Sequence, residues 1–336
     1  MIKEIENVQT NDSPTLDEKV ELAQQNLLQM NVGYGDNLLT MIGRIRKYGN
    51  TIPTGYADID KVLHGGFRTG ISIITAPPGN GKTSFAIQLA EHFNRLGHQT
   101  IYFSNDMSEE ELTSKSLSRH SYLIANKQGF SGSEVMNSLE NIIHSSVFQT
   151  ACENFKNSTK MLRIVDMETS SDLNKITTLL NAYSAYGIGQ QKVVIIDFIQ
   201  NVAVEGANTD KERLDILIKT LQTLAKNNKM IIILISSIAR YFYDKSLTMD
   251  SLKESGGLEF GADLILALQH IGIGKKEFDI KKAKSKPIWD MEVAVLKNRF
   301  GGADISIPVS FYPKYNLFPY YDRTSIPKMV KTKLSF

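Results

Sequence analysis

The 336 residues match two average domains of about 150 residues, or one large α/β domain with a short appendage. Hydrophobic residues make up 42% and charged residues 22%, which supplies a substantial core and excludes a disordered tail or a fibrous repeat. Lys and Arg number 38 against 36 Asp and Glu, so the balance of +2 excludes condensation of nucleic acid by bulk charge and makes any such contact local.

A polar start, Asn7 to Pro14, precedes two helix-like segments at Leu16 to Met30 and Asn37 to Tyr48. In the first, Leu16, Val20, Ala23, Leu27 and Met30 share one helical face, so residues 1–50 are expected to form a helical N-terminal arm or linker. Met1 to Glu6 lack the basic and apolar regions of a signal peptide, and the single cysteine, Cys152, has no internal partner. The longest apolar runs, Val193 to Ile196 and Met230 to Ile235, fall far short of the ~20 residues of a membrane span. A cytoplasmic protein with no membrane partner is expected.

From Thr54 onward β-branched runs alternate with amphipathic helices: Ile71–Thr75, Thr100–Ser104, Leu162–Val165, Val193–Asp197, Met230–Ile235, Asp263–Leu268 and Met291–Leu296. Such alternation predicts an α/β fold, a mostly parallel central sheet flanked by helices. The helix expected near Thr209–Lys226 carries Leu214, Leu217, Ile218, Leu221, Leu224 and Ala225 on one stripe, with Asp215 and Lys219 expected to pair on the other. The charge run Lys275–Lys286 reads as a solvated surface loop, with contact to nucleic acid as the alternative. The six histidines show no metal-ligand spacing.

Directly after Ile71–Thr75 comes Ala76-Pro77-Pro78-Gly79-Asn80-Gly81-Lys82-Thr83-Ser84, followed by the apolar-periodic stretch Phe85, Ile87, Leu89 and Ala90. Strand, Gly-rich loop and helix in this order form a P-loop, with Pro78 to Ser84 around the phosphates of ATP. Gly79 and Gly81 let backbone N–H groups turn inward, Lys82 supplies a cation to the β/γ oxygens, and Thr83 offers a hydroxyl to Mg²⁺. Ala76 replaces the first glycine of the strict pattern. Asp197 ends the apolar run Val193–Ile196, where a carboxylate converges with the P-loop and shares the Mg²⁺. Capping of a turn is the competing role for Asp197.

Thr54-Gly55-Tyr56 with Asp60 and Gly65-Gly66, the P-loop, Phe103 to Ser108, Asp197 to Gln200, Lys253 to Gly256 with Glu259 and Ala262-Asp263, and Lys297-Asn298-Arg299 follow one another in order. In this order and spacing the chain resembles the DnaB-type replicative helicases over about Thr54 to Tyr321. The resemblance implies a RecA-like P-loop motor over residues 51–322, followed by a tail at 323–336. The large helical N-terminal domain of the bacterial proteins has no counterpart in the first fifty residues, as in a phage, plasmid or otherwise shortened version. It further implies that Asp106 stands where the family has a Glu that polarises the attacking water, and Ser237 where it has a Gln that senses the γ-phosphate. Both side chains are shorter than the family's; a helix N-cap is the competing role for Asp106. Lys297 and Arg299, at i and i+2, share one face of a strand end and by resemblance reach the ATP of an adjacent subunit.

Single-stranded DNA contacts are expected in two loops, Asn201–Lys211 with Lys211, and Arg240–Lys253 with Arg240, Lys245 and Lys253; Tyr241, Phe242 and Tyr243 are candidates for base stacking or for packing. By resemblance the protein is expected to be an ATP-hydrolysing DNA helicase moving 5′ to 3′ as a homo-oligomeric ring of the hexamer type, with primase and a helicase loader as partners. The competing readings are a RecA-like recombinase or regulatory ATPase, and a weakly catalytic ATP-dependent DNA-binding assembly subunit.

Overall fold

The computed structural model describes residues 38–48, 51–167, 171–185, 191–252 and 256–320. The chain divides into two compact units, Met1–Asn50 and Thr51–Phe336. In the first, helix α1 (Leu38–Tyr48) realises the second expected helical segment and leaves Leu38, Leu39, Ile42 and Ile45 exposed. The helix expected at Leu16–Met30 and the tail from residue 323 lie outside the described residues.

The second unit is built on one eight-stranded sheet in the order β3-β2-β4-β5-β1-β6-β7-β8. Its strands are β1 (Gly70–Thr75), β2 (Gln99–Ser104), β3 (Leu162–Asp166), β4 (Lys192–Asp197), β5 (Ile231–Ser236), β6 (Leu264–His270), β7 (Trp289–Asn298) and β8 (Ile305–Phe311). The first six run parallel, and β7 and β8 pair antiparallel at one edge. Strand side chains alternate between faces, so a sheet covered on both sides needs continuous apolar runs. Ile74, Ile195, Ile233 and Ile235 pack with Phe85, Leu89 and Phe93 of α3 (Lys82–Arg95) on one face. Ile73, Val194, Ile196, Ile232 and Leu234 pack on the other face with α8 (Leu173–Ala185) and α9 (Asp210–Asn228). Before β1, α2 spans Ala57–Val62; between α3 and α8 lie α4 (Glu109–Ala125), α5 (Gly132–Asn137), α6 (Leu139–Ile142) and α7 (Ser146–Ser158); α10 (Gly256–Gly261) and α11 (Ile280–Ser285) follow β5 and β6.

Two sequence expectations change. Strand β8 was not anticipated, because Pro308 interrupts Ile305–Phe311; proline removes a backbone donor and is tolerated here on an edge strand, opposite Glu292. On α9 the buried stripe is Leu214, Leu217, Ile218, Leu221 and Ala225, but Asp215 and Lys219 form no ion pair. Asp215 instead abuts Gly257 of α10, where an added Cβ would lie 2.0 Å from its carboxylate. The motif before β1 is a folded turn: the Thr54 and Gly55 N–H groups donate to the Asp60 carboxylate at 2.7 and 3.3 Å. Gly66, at φ 112°, passes so close to Ile52 that a Cβ would meet its carbonyl oxygen at 2.0 Å.

Candidate active site

Parallel register brings the functional residues to one edge. Thr75 pairs with Ser236, Ser104 with Asp197, and Asp197 with Ile235, so β1, β2, β4 and β5 all end at one level. The segments that follow them carry the P-loop, Asp106 and Ser237, while Asp197 is itself the last residue of β4. They line a cleft of about 390 Å³ together with Met107, Lys115, Phe198, Phe311, Pro313 and Asn316. In an open α/β sheet this edge is where ligands bind.

The P-loop's shape follows from its glycines. Gly79 and Gly81 have φ of 72° and 84°, a region that residues with a Cβ avoid. An added Cβ on Gly81 would also meet Phe318 at 2.9 Å and Phe311 at 3.0 Å. Ala76 takes no positive φ and is buried against the core, so the missing first glycine leaves the loop intact. Gly81 caps α3, whose first residues Lys82, Thr83 and Ser84 therefore leave the loop at a helix N-terminus, where backbone N–H groups and the helix dipole favour anions. Ser84 lines the cleft and donates to Asn316 Oδ1 at 3.1 Å. Asn80 is buried, with neither of its side-chain polar atoms hydrogen-bonded.

The Lys82 ammonium donates to the carbonyls of Ala76 (2.8 Å) and Pro77 (3.2 Å). Burial lowers its pKa to about 8, against the pull of the Asp197 and Asp106 carboxylates. Asp197 is 4% exposed and accepts a hydrogen bond from the Tyr102 hydroxyl at 2.6 Å. Burial pushes its carboxyl up, while the Tyr102 and Thr83 hydroxyls and Lys82 act in the opposite direction. A buried carboxylate beside a hydroxyl is an oxygen donor set suited to a hard divalent ion. Asp197 thus faces the cleft rather than capping a turn.

Asp106 is exposed at the cleft, and its negative charge is felt by both Lys82 and Asp197. It does not cap α4: Ser108 does, accepting from Glu111 N–H while the Glu111 carboxylate accepts from Ser108 N–H. Ser237 lines the cleft, and the Gln200 carboxamide grips both serines of the segment, accepting from Ser237 N–H at 3.3 Å and donating to Ser236 Oγ at 2.9 Å. Sequence reasoning missed Lys115, whose Nζ donates to Asn316 Oδ1 at 3.2 Å. Its helical spacing alone carried no sign that α4 turns it into the cleft. It also missed Lys284, in the run expected to be solvated. Lys281, Lys282 and Lys286 are exposed, but Lys284 turns inward to the P-loop because the Trp289 indole N–H holds the Lys284 and Lys286 carbonyls.

Lys297 and Arg299 lie apart from this cleft. Lys297 pairs with Ile265 and Asn298 with Leu264 at the start of β6, the sheet edge opposite the one that carries the P-loop. Lys297 Nζ donates to the Glu259 carbonyl and Arg299 Nη1 to Asp263 Oδ1, each at 2.6 Å. Of the expected DNA contacts, Lys211 and Arg240 are exposed and the Lys245 ammonium sits 3.1 Å from the Tyr241 ring centroid; Lys253 lies outside the described residues. Tyr241 is 69% exposed, whereas Phe242 and Tyr243 pack on Ile238, Leu247, Ala267 and Ala294. Among the described residues no group of three or more His, Cys, Asp or Glu is placed to hold a metal by itself, and no helix is long and apolar enough to cross a membrane.

The family described as the DnaB-like helicase C-terminal domain matches residues 51–319, most of the chain and all of this cleft. The chain belongs to this family. Curated relatives include the replicative DNA helicase DnaB of Geobacillus stearothermophilus, 24% identical over 280 residues that cover 81% of this chain and 57% of that protein. The DnaB of Buchnera aphidicola is 28% identical over 237 residues, covering 68% and 49%. This DnaB-like chain therefore spans about half the length of the curated relatives it matches. A solved structure titled as a DnaB-like replicative helicase and its interactions with primase superposes with a TM-score of 0.72 at 20% identity, over 90% of this chain and 71% of that one. The DnaB-like RecA-type fold expected from the motifs is thus present.

Proposed function

We propose that this DnaB-like domain hydrolyses ATP to move along single-stranded DNA and separate duplex, working in a homo-oligomeric ring of the hexameric type. The supporting observation is the division of charged residues between two edges of the sheet. Lys82, Thr83, Asp106, Asp197 and Ser237 share one cleft, while Lys297 and Arg299 stand at the opposite edge, a position that suits them to a neighbouring subunit's nucleotide rather than their own. Direction 5′ to 3′, primase and loader partners and a cytoplasmic location follow the family resemblance.

In the cleft, Lys82 exchanges the Ala76 and Pro77 carbonyls for phosphate oxygens. Thr83 and Asp197 would hold Mg²⁺, which supplies charge neutralisation to the phosphate oxygens when bound. Asp106 orients a water and accepts its proton as the water oxygen bonds to the γ-phosphorus and the bond to the ADP oxygen breaks. Ser237 hydrogen-bonds at the far side, and Gln200 ties its segment to the one after β4, which leads into the Asn201–Lys211 loop. The N-terminal arm docks on a neighbour through the exposed aliphatic face of α1. The short Asp106 and Ser237 side chains favour a second reading, a slow ATPase that binds DNA and assembles without unwinding.

ATP turnover measured with and without single-stranded DNA, beside strand displacement on a forked duplex, separates these readings. DNA-stimulated turnover with displacement is expected. DNA binding with turnover unmoved by DNA and no displacement supports the assembly subunit, and absence of nucleotide binding removes both.

A further inference from the structure

The lysine-rich segment between β6 and β7 is built to present one side chain. Asp279 caps α11 by accepting from the Lys281 and Lys282 N–H groups, and the Trp289 indole on β7 donates to the Lys284 carbonyl at 3.2 Å and the Lys286 carbonyl at 3.1 Å. With the backbone held there, the Lys284 ammonium lies 3.9 Å from the position of a Cβ added to Gly79, at the exposed crest of the P-loop. It also lies 5.5 Å from the Trp289 ring centroid. Lys286 has an anionic partner, Asp290, at 2.9 Å, whereas among the described residues no carboxylate pairs with Lys284. Burial lowers the pKa of Lys284, and its charge lowers that of Lys82 in turn. Two ammonium groups thus bear on one loop of the cleft; the Asp197 and Asp106 carboxylates offset the charge of Lys82, whereas that of Lys284 has no carboxylate paired with it among the described residues. Like charges held together in a partly buried site call for a polyanion.

The geometry points to Lys284 as a second cation for the phosphate chain of the bound nucleoside triphosphate, supplied by the same chain as the P-loop. Lys82 rises from within the loop and Lys284 closes over its crest. This rests on the reading of the cleft as an ATP site, and it makes the β6–β7 segment part of nucleotide binding instead of a solvated surface.

The test is titration of the protein with the β,γ-imido analogue of ATP, followed by calorimetry and by the emission of Trp289, the only tryptophan. Lys284→Ala is expected to weaken binding at least tenfold, about 1.4 kcal/mol. Lys284→Arg should retain most of the affinity, and Lys282→Ala, on the exposed face of the same helix, should bind as the parent does. Nucleotide should change Trp289 emission in the parent, as the ammonium leaves the ring for phosphate, and not in Lys284→Ala. Parent-like affinity in Lys284→Ala, with binding lost in Lys82→Ala, overturns the role of Lys284 and leaves the ATP site standing. Parent-like affinity in both variants overturns the ATP site as well.

Discussion

Lys82 and Asp106 show what single side chains contribute. Burial places the Lys82 pKa near 8, so in the nucleotide-free protein the ammonium is charged below that pH and neutral above it. Phosphate favours the charged form, so ATP affinity should be level from pH 6.5 to about 7.5 and fall as pH rises through 8 toward 9.5. A binding isotherm at each pH checks this; an affinity that stays level to pH 9.5 contradicts it. Lys82→Ala should lose turnover and most nucleotide binding, because Lys284 sits at the crest and cannot take its place within the loop. Asp106→Asn should bind ATP but hydrolyse it ~10²- to 10⁴-fold more slowly, the usual contribution of a general base. Asp106→Glu, one methylene longer, should match or exceed the parent rate. Since Ser108 already caps α4, neither change should lower thermal stability, and an Asn variant with full turnover would move the base elsewhere.

At the scale of the element, α3 is the structural centre of the site. Its residues from Ser84 to Asn94 are all buried, so its position sets that of Lys82 and Thr83. Glu91 anchors it to α4: its carboxylate accepts from Arg119 Nη2 at 2.6 Å and faces His120 Nε2 at 3.2 Å, all three side chains being nearly inaccessible. Burial pushes the Glu91 carboxyl up, but Arg119 and His120 outweigh it and hold the group well below the usual carboxylate range. A depressed folded-state pKa contributes stability fully present above the unfolded value of ~4.3 and lost as pH falls through the folded one. Glu91→Gln leaves Arg119 buried without its counter-charge and should cost about 3–5 kcal/mol in denaturant unfolding, with a smaller loss in acid than the parent shows. Replacing both Glu91 and Arg119 by aliphatic residues of similar volume should cost far less. If the single and double variants unfold alike, the pair is not what joins α3 to α4.

For the whole molecule, the proposed ring requires one chain to hold halves of two different sites. Arg299 at rest pairs with Asp263, and at half exposure this ion pair is weak enough to exchange for a neighbour's phosphate. Arg299→Ala should fold and bind ATP normally but lose turnover. Mixed with Lys82→Ala, it should recover part of the ATPase, since some interfaces then combine an intact P-loop with an intact arginine from the other subunit. Normal hydrolysis by Arg299→Ala alone rejects the shared site. Assembly is tested separately at α1: Ile42→Asp with Ile45→Asp places charge on its exposed aliphatic face and should shift the protein to smaller species in sedimentation, with the fold of the Thr51–Phe336 unit unchanged. An unchanged sedimentation profile would remove the arm from the assembly.

The local patterns by themselves determined the parallel sheet, the P-loop and the strand-end Asp197, because each is encoded in consecutive residues: apolar runs of strand length, glycines where φ is positive, and a carboxylate at a run's end. They also distinguished the two edges only through resemblance, since nothing in Lys297-Asn298-Arg299 shows which end of the sheet it occupies. Tertiary structure decided the rest, for reasons of packing and register. Antiparallel pairing put Lys297 and Arg299 away from their own P-loop, and burial split Tyr241 from Phe242 and Tyr243 within one aromatic run. Strand β8 exists because β7 offers it an edge, although Pro308 argues against it locally. Lys115 enters the cleft because α4 packs beside α3, and Lys284 reaches the crest of the P-loop at Gly79 because one indole, five residues downstream, holds its backbone. Such contacts join residues far apart in sequence, or turn one lysine of a run inward, and no periodicity records them.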